Sequence, residues 1–161
     1  SKLRVPEHIY PVYTLLYTLP GIPSIYYGSE WGIQGKKEGS NDDYLRPRVN
    51  LQEALKHPDN PKLMEWIEKL GRIHGEYPAC ADGRYQELFL TNRQYAFARI
   101  LDGEGILVAV NNDEQEVEIT LPVPSAEQEY TDCISNETVA QENGRICLVL
   151  EPCGSRILFW K

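Results

Sequence analysis

The segment PEHIYPVYTLLYTL, residues 6–19, is apolar on nearly every side when its residues are placed on a helix. A helix without a polar face has to be buried all the way around. Pro6 suits the first helical position, and Pro11 is tolerated only within the first turns of a helix. We therefore predict a helix over 6–19 that lies inside a larger assembly and is ended by the turn residues Pro20 and Gly21.

A short apolar run, SIYY at residues 24–27, follows between proline and glycine residues. Such a run predicts a strand that is buried on both faces, as in a parallel sheet. A polar loop over 33–50 then leads to Asn60-Pro61, a pair that is typical of a helix start. The helix predicted there carries one apolar stripe at helical spacing: Leu63, Trp66, Ile67, Leu70 and Ile73.

The hydrophobic pattern changes to period two in the back half of the chain. In the segment QEVEITL, Val117, Ile119 and Leu121 alternate with acidic or polar residues. Similar segments, separated by turn signals such as Asp102-Gly103 and Asn143-Gly144, predict further strands over 93–101, 106–112, 144–150 and 154–160. Short alternating strands at this spacing predict an antiparallel sandwich.

These patterns predict a mixed fold with two domains. Residues 1–78 are predicted to be the last part of a (β/α)8 barrel, with the order helix, strand, helix, and residues 79–161 an all-β antiparallel sandwich. One strand and two flanking helices are about a quarter of a barrel, which typically takes ~250 residues. We therefore expect the chain to be the C-terminal piece of a longer protein. If it is isolated, we expect the exposed apolar surface to cause self-association.

The charge of the chain excludes several classes of partner. The 161 residues include 16 Lys and Arg and 24 Asp and Glu, which gives a net charge of −8. A nucleic-acid surface has to be cationic, so we expect no nucleic acid as a partner. We also expect no membrane, because no apolar run approaches the ~20 residues that a spanning helix needs. A neutral substrate is compatible with this composition.

The cysteines are spaced neither for zinc nor for a disulfide framework. Cys80, Cys133, Cys147 and Cys153 form no C-x-x-C pair, and the histidines do not lie near them at metal spacing. We expect reduced thiols, no metal and no cofactor. Because nothing in the sequence indicates secretion, we also expect a cytoplasmic location.

The segment GIPSIYYGSEWG, residues 21–32, resembles the eighth barrel strand of the α-amylase family, glycoside hydrolase family 13. The segment DDYLR, residues 42–46, resembles the Asp-Pro-x-x-Arg loop that follows this strand, with Asp43 in the position of the proline. The segments GRYQELFL, QYAFARIL and ILVAVNN resemble the C-terminal sandwich of the same family. The nearest branch is that of neopullulanases, cyclomaltodextrinases and similar α-amylases.

The resemblance implies a parent enzyme that cleaves α-glucosidic bonds of starch-derived glucans with retention. Retaining chemistry uses two carboxyl groups about 5–5.5 Å apart on either side of the bond. In the family these groups, and a third Asp that belongs to an Asn-His-Asp motif, lie on earlier barrel strands. The sequence contains no Asn-His-Asp, so we predict no catalytic residue in this chain and expect it to be inactive alone.

The resemblance also indicates four residues for substrate binding. Asp42 and Arg46 are predicted to contact sugar hydroxyls, with an ion pair inside the loop as the alternative. Glu30 is predicted to support neighbouring loop groups through charge-assisted hydrogen bonds. Trp31 is predicted either to stack on a sugar ring or to pack within the loop. For Tyr26 and Tyr27 the alternatives are barrel packing and sugar stacking.

Two other kinds of function are compatible with the back half of the chain, namely a carbohydrate-binding module and a structural accessory domain without a ligand. The helical front half distinguishes them, because an all-β binding module would not carry it. The sequence does not determine whether α-1,4 or α-1,6 bonds are cleaved, nor whether the product is formed by hydrolysis or by transglycosylation.

Overall fold

The computed structural model describes residues 3–33, 45, 48–54, 56, 60–125 and 129–161. The helices are α1 (Ile9–Thr18), α2 (Leu51–Ala54), α3 (Asn60–Glu76) and α4 (Ala79–Asp82). The strands are β1 (Arg84–Leu90), β2 (Gln94–Leu101), β3 (Glu104–Asn111), β4 (Val117–Pro122), β5 (Tyr130–Asp132), β6 (Thr138–Val139), β7 (Gln141–Glu142), β8 (Arg145–Leu150) and β9 (Ser155–Trp160). Two short 3-10 turns are formed by Pro6–His8 and Ser29–Trp31.

The strands form two sheets, and every pair of neighbours is antiparallel. The larger sheet has six strands in the order β1-β2-β3-β9-β5-β6, and the smaller has three in the order β4-β8-β7. The antiparallel prediction for the back half is therefore confirmed. The sequence did not predict β5, β6 and β7, because two or three residues are too few to show an alternating pattern.

The core of the sandwich lies between the two sheets. It includes Leu107 and Trp160 from the large sheet and Leu121 and Leu148 from the small one, all of them buried. Residues along β4 and β8 alternate between exposed and buried, because the small sheet has one face in solvent. The period-two pattern of the sequence comes from this exposure.

The other face of the large sheet is covered by helices. Phe97, Ile106 and Val108 point to this side and pack with the apolar stripe of α3. As a result β3 is buried on both faces, as its nearly continuous apolar sequence requires. Four of the five stripe residues are buried, with Leu63 4% exposed, Ile67 9%, Leu70 0% and Ile73 5%, and Trp66 is partly buried.

The helix predicted over 6–19 is present as the first 3-10 turn followed by α1. Tyr13, Thr14 and Thr18 are buried, whereas Val12 is 48% exposed. A histidine on a surface helix is expected in solvent or at a helix end, and this expectation is wrong for His8, which is buried because the turn that carries it packs inward. His74 does cap α1, since its Nδ1 lies 2.7 Å from the carbonyl oxygen of Tyr17.

The strand predicted over 24–27 is not present. Residues 22–26 are assigned neither to a helix nor to a strand. The physical reason is that a strand needs a hydrogen-bonding neighbour, and the described part of the front half contains no other strand. Among the described residues, no helix is both long enough and apolar enough to cross a membrane.

Candidate functional site

The Ser29–Trp31 turn carries the two predicted substrate-binding residues that the structure describes, Glu30 and Trp31. Backbone hydrogen bonds close the turn on itself: the amide of Trp31 donates to Gly28 over 3.2 Å, and that of Gly32 donates to Ser29 over 3.0 Å. Both Glu30 and Trp31 are partly buried. The turn therefore holds a carboxylate and an indole next to each other at the edge of the helical layer.

The shape of this turn depends on Gly28. Its φ angle is 79°, in the left-handed region that residues with a side chain rarely adopt. A Cβ atom there would lie 2.6 Å from Cδ1 of Ile33, which is shorter than any normal contact. The glycine in the sequence motif is thus explained by backbone geometry.

Helices α1 and α3 both pack against the turn. The side chain of Tyr13, on α1, lies near those of Ser29 and Glu30. Burial raises the pKa of Tyr13, the hydroxyl of Ser29 lowers it in part, and the negative charge of Glu30 raises it further. On the other side, Gly32 faces Leu63 of α3. The position of Glu30 and Trp31 is therefore set by the packing of α1 and α3.

Trp31 has an indole N–H that is buried and has no hydrogen-bond acceptor among the described residues. A buried donor without a partner costs free energy, so such groups are rare in folded proteins. The ring is therefore placed with an unused donor beside the carboxylate-bearing residue Glu30.

The two tyrosines before the turn are each 53% exposed. The hydroxyl of Tyr27 accepts a hydrogen bond from the backbone amide of Val49 over 3.3 Å, so residues on either side of the long polar segment lie close together here. Neither the packing nor the stacking alternative for Tyr26 and Tyr27 is tested by these contacts.

Asp42 and Arg46, the other two residues predicted to bind substrate, lie outside the described residues. Their roles stay predictions. Within the described part of the chain, no group of three or more His, Cys, Asp or Glu residues is arranged to hold a metal ion.

The four cysteines are all free thiols. Burial raises the pKa of Cys80 to about 11 and the pKa of Cys133 to about 12. Cys147, in contrast, is exposed on the outer face of the small sheet. The buried thiols are therefore neutral at ordinary pH.

Sequence reasoning missed three residues that hold the site, namely Tyr13, Ser29 and Arg99. Arg99 offered a signal, because it stands on β2 two residues after Phe97 and so occupies an inward position of an alternating strand. A charged residue at such a position indicates a buried polar role. Tyr13 and Ser29 offered none, since their contact joins residues whose spacing follows no local pattern.

The sequence is similar to those of amylases and of a neopullulanase. Residues 85–157 match the family of maltogenic amylase C-terminal domains. A β/α-amylase from Paenibacillus polymyxa is 28% identical over 138 residues, which are 84% of this chain and 11% of that protein. Neopullulanase 2 from Thermoactinomyces vulgaris is 28% identical over 145 residues, which are 88% of this chain and 24% of that protein. The chain thus spans a quarter or less of the length of these relatives.

The fold is also that of a solved α-amylase. The enzyme from Geobacillus thermoleovorans, in complex with acarbose, superimposes with a TM-score of 0.83 over 98% of this chain and 34% of that chain. The two sequences are 21% identical, so the likeness concerns the fold. It extends over the helical front as well as the two sheets.

Proposed function

We propose that the chain is the C-terminal part of a glycosidase of the α-amylase family, in the branch of maltogenic amylases and neopullulanases, because residues 85–157 match the family of maltogenic amylase C-terminal domains and the chain is similar to a neopullulanase. We further propose that the whole protein cleaves α-glucosidic bonds of starch-derived glucans with retention, in the cytoplasm. The observation that supports this most is the superposition on an α-amylase over 98% of the chain. A sandwich domain alone would match only the back half.

In this proposal the chain supplies one edge of the substrate site and none of the catalytic carboxylates. The indole ring of Trp31, which is only partly buried, stacks on a glucose unit. Glu30, held in the same turn, accepts hydrogen bonds from neighbouring donors. Asp42 and Arg46 accept from and donate to vicinal sugar hydroxyls.

The experiment compares the chain with the longer protein that contains it. We expect the longer protein to hydrolyse maltooligosaccharides or cyclodextrins and to release products of α configuration, seen by proton NMR during the first turnovers. The isolated chain should show no turnover. Activity that stays with the purified 161-residue chain would contradict the proposal. So would a longer protein that binds starch without cleaving it, the behaviour expected of a binding module.

Substrate length tests the contribution of Asp42. In the longer protein, Asp42→Asn should lower kcat/KM for long maltooligosaccharides by about ten- to hundredfold, because a hydrogen bond to a charged group is worth about 1.5–3 kcal/mol. Short substrates that do not reach this part of the site should be much less affected. The neighbouring variant Asp43→Asn is the matched control and should change neither. An equal loss at every length, together with a lowered Tm, would assign Asp42 to loop folding.

A further inference from the structure

Arg99 is the only charged side chain among the largest fully buried ones in the described part of the chain, at 1% exposure. It lies on β2, on the face of the large sheet that the helices cover. Its guanidinium donates three hydrogen bonds, all to backbone carbonyl oxygens: Nε to Gly83 at 2.9 Å, Nη1 to Thr18 at 2.9 Å and Nη2 to Ala81 at 3.1 Å. One side chain thus joins the end of α1, the short helix α4 and the start of β1.

A buried guanidinium is costly unless its donors are satisfied. In the described residues no carboxylate forms an ion pair with Arg99, and the three carbonyl groups take that place. Thr18 is the last residue of α1, where the carbonyl groups of a helix carry partial negative charge. The arrangement therefore favours a cation at this position and fixes the end of α1 against the sheet.

The other end of the connection is the candidate site. Helix α1 is joined to α3, since Nδ1 of His74 lies 2.7 Å from the carbonyl oxygen of Tyr17 and the indole N–H of Trp66 donates to the carbonyl of Tyr10 over 3.3 Å. Helix α3 in turn meets the turn that carries Glu30 and Trp31, because Leu63 faces Gly32. Arg99, α1, α3 and the turn therefore form one continuous set of contacts.

We propose that Arg99 is a positioning residue, through which the β domain fixes α1 and, by way of α3, the orientation of Glu30 and Trp31. The β domain then has a defined part in the site, although none of its residues belongs to the turn. The positioning of the turn by Arg99 is inferred from the contacts described above. Its consequence for glucan binding rests on the function proposed in the preceding section.

Fluorine NMR on chain labelled with 5-fluorotryptophan tests this positioning. The three tryptophans report on three places: Trp31 on the turn, Trp66 on α3 and Trp160 in the sandwich core. In Arg99→Gln the Trp31 resonance should shift and broaden or split, while the Trp160 resonance stays unchanged. Arg99→Lys, which keeps the charge but loses the fork of donors, should give an intermediate change.

The matched control is Arg156→Gln. Arg156 forms an ion pair with Asp132 and is flanked in β9 by Ile157, which faces the helices, so it lies on the opposite face of the same sheet. Its loss should leave the Trp31 resonance unchanged. If Arg99→Gln does not fold, His74→Ala carries the test, because it removes the contact of α3 with the last turn of α1 without touching the guanidinium. An unchanged Trp31 resonance in Arg99→Lys and His74→Ala, or equal changes at all three tryptophans, would overturn the proposal.

Kinetics of the longer protein test the consequence. Arg99→Lys should lower kcat/KM for maltooligosaccharides by about ten- to hundredfold, mainly through KM, since a small displacement of a binding group has effects of this size. A lowered Tm with unchanged KM would overturn the positioning role and leave a structural one. If the longer protein cleaves no glucan at all, the proposed function fails, whereas the NMR result still decides the role of Arg99.

Discussion

The sandwich and the helical front differ in how completely they bury their apolar residues. The sandwich closes its core with its own two sheets, and Leu107, Leu121 and Trp160 are at most 1% exposed. The front half packs one side of α1 and α3 on the large sheet. Of the eight large exposed apolar side chains that the structure describes, it nevertheless carries five: Val12, Ile22, Tyr26, Tyr27 and Leu51. The sandwich therefore buries its own core, whereas the helical front half keeps a second apolar surface exposed.

The cause of this difference lies in the kind of element. An antiparallel strand finds its partner a few residues away, across a hairpin, as β1, β2 and β3 do. A barrel strand needs parallel neighbours that belong to distant parts of a chain. The 24–27 run has the composition of such a strand and no partner in the described residues. Self-association of the isolated chain through this surface stays a prediction.

The largest expected effect is in the sandwich. Leu107→Ala removes a side chain that is 0% exposed in the core between the sheets and should lower the free energy of unfolding by about 2–5 kcal/mol. Val12→Ala in the front should change it by less than about 0.5 kcal/mol, because that side chain is 48% exposed. Urea denaturation measures both, and Leu90→Ala, at 63% exposure, is the control on a strand. Equal losses for Leu107 and Val12 would remove the contrast between the two regions.

A smaller effect is expected at the turn of the candidate site. Gly28→Ala should destabilise the front by roughly 1–2 kcal/mol, because a side chain at positive φ is strained and the new Cβ meets Ile33. Gly75→Ala is the matched control, since a Cβ there lies in open space on α3 and alanine favours a helix by up to about 1 kcal/mol. The effects of both variants are measured as denaturation midpoints and as the rate at which the front half is cleaved by a protease. A neutral Gly28→Ala would mean that the turn does not require this backbone conformation.

A further effect is expected only at alkaline pH. Burial raises the pKa of Cys80 to about 11, above the ordinary value of about 8.5 for a thiol. The folded state therefore binds this proton more tightly, so the stabilisation is complete below pH ~8.5 and is lost as the pH rises towards 11. We expect the urea midpoint under reducing conditions to fall between pH 8 and 10.5.

Two cysteine variants isolate this contribution. Cys80→Ala should make the fall with pH shallower, whereas Cys147→Ala, at an exposed position, should leave it unchanged. The quantity compared is the slope of the urea midpoint against pH. The loss of stability caused by the cavity in Cys80→Ala is the same at every pH and therefore does not affect this slope. If both variants keep the slope of the parent chain, other groups cause the alkaline loss.

The sequence predicted most of the fold because most of it is encoded locally. Alternation gives the longer strands, and the stripe of α3 gives its buried face. The prediction from sequence failed where the local structure depends on residues far away in the chain. Residues 24–27 have strand composition but lack neighbours, and His8 is buried by a turn whose packing no spacing rule reveals.

The candidate site was predictable in part for the same reason. The glycine-flanked turn with Glu30 and Trp31 came from a contiguous motif, which the structure describes. The contacts that hold it, from Tyr13 to Ser29 and from Arg99 to Thr18, join residues 16 and 81 positions apart. A single sequence carries no periodic signal for such pairs.

The most direct test of the central claim is hydrogen exchange measured on the isolated chain and on the longer protein that contains it. If the front is completed by docking against the rest of an α-amylase-family barrel, amides of residues 22–27 should exchange at least about tenfold more slowly in the longer protein. Amides of β3 and β8, in the self-contained sandwich, should exchange at the same rate in both. Equal exchange of residues 22–27 in the two proteins would contradict the claim.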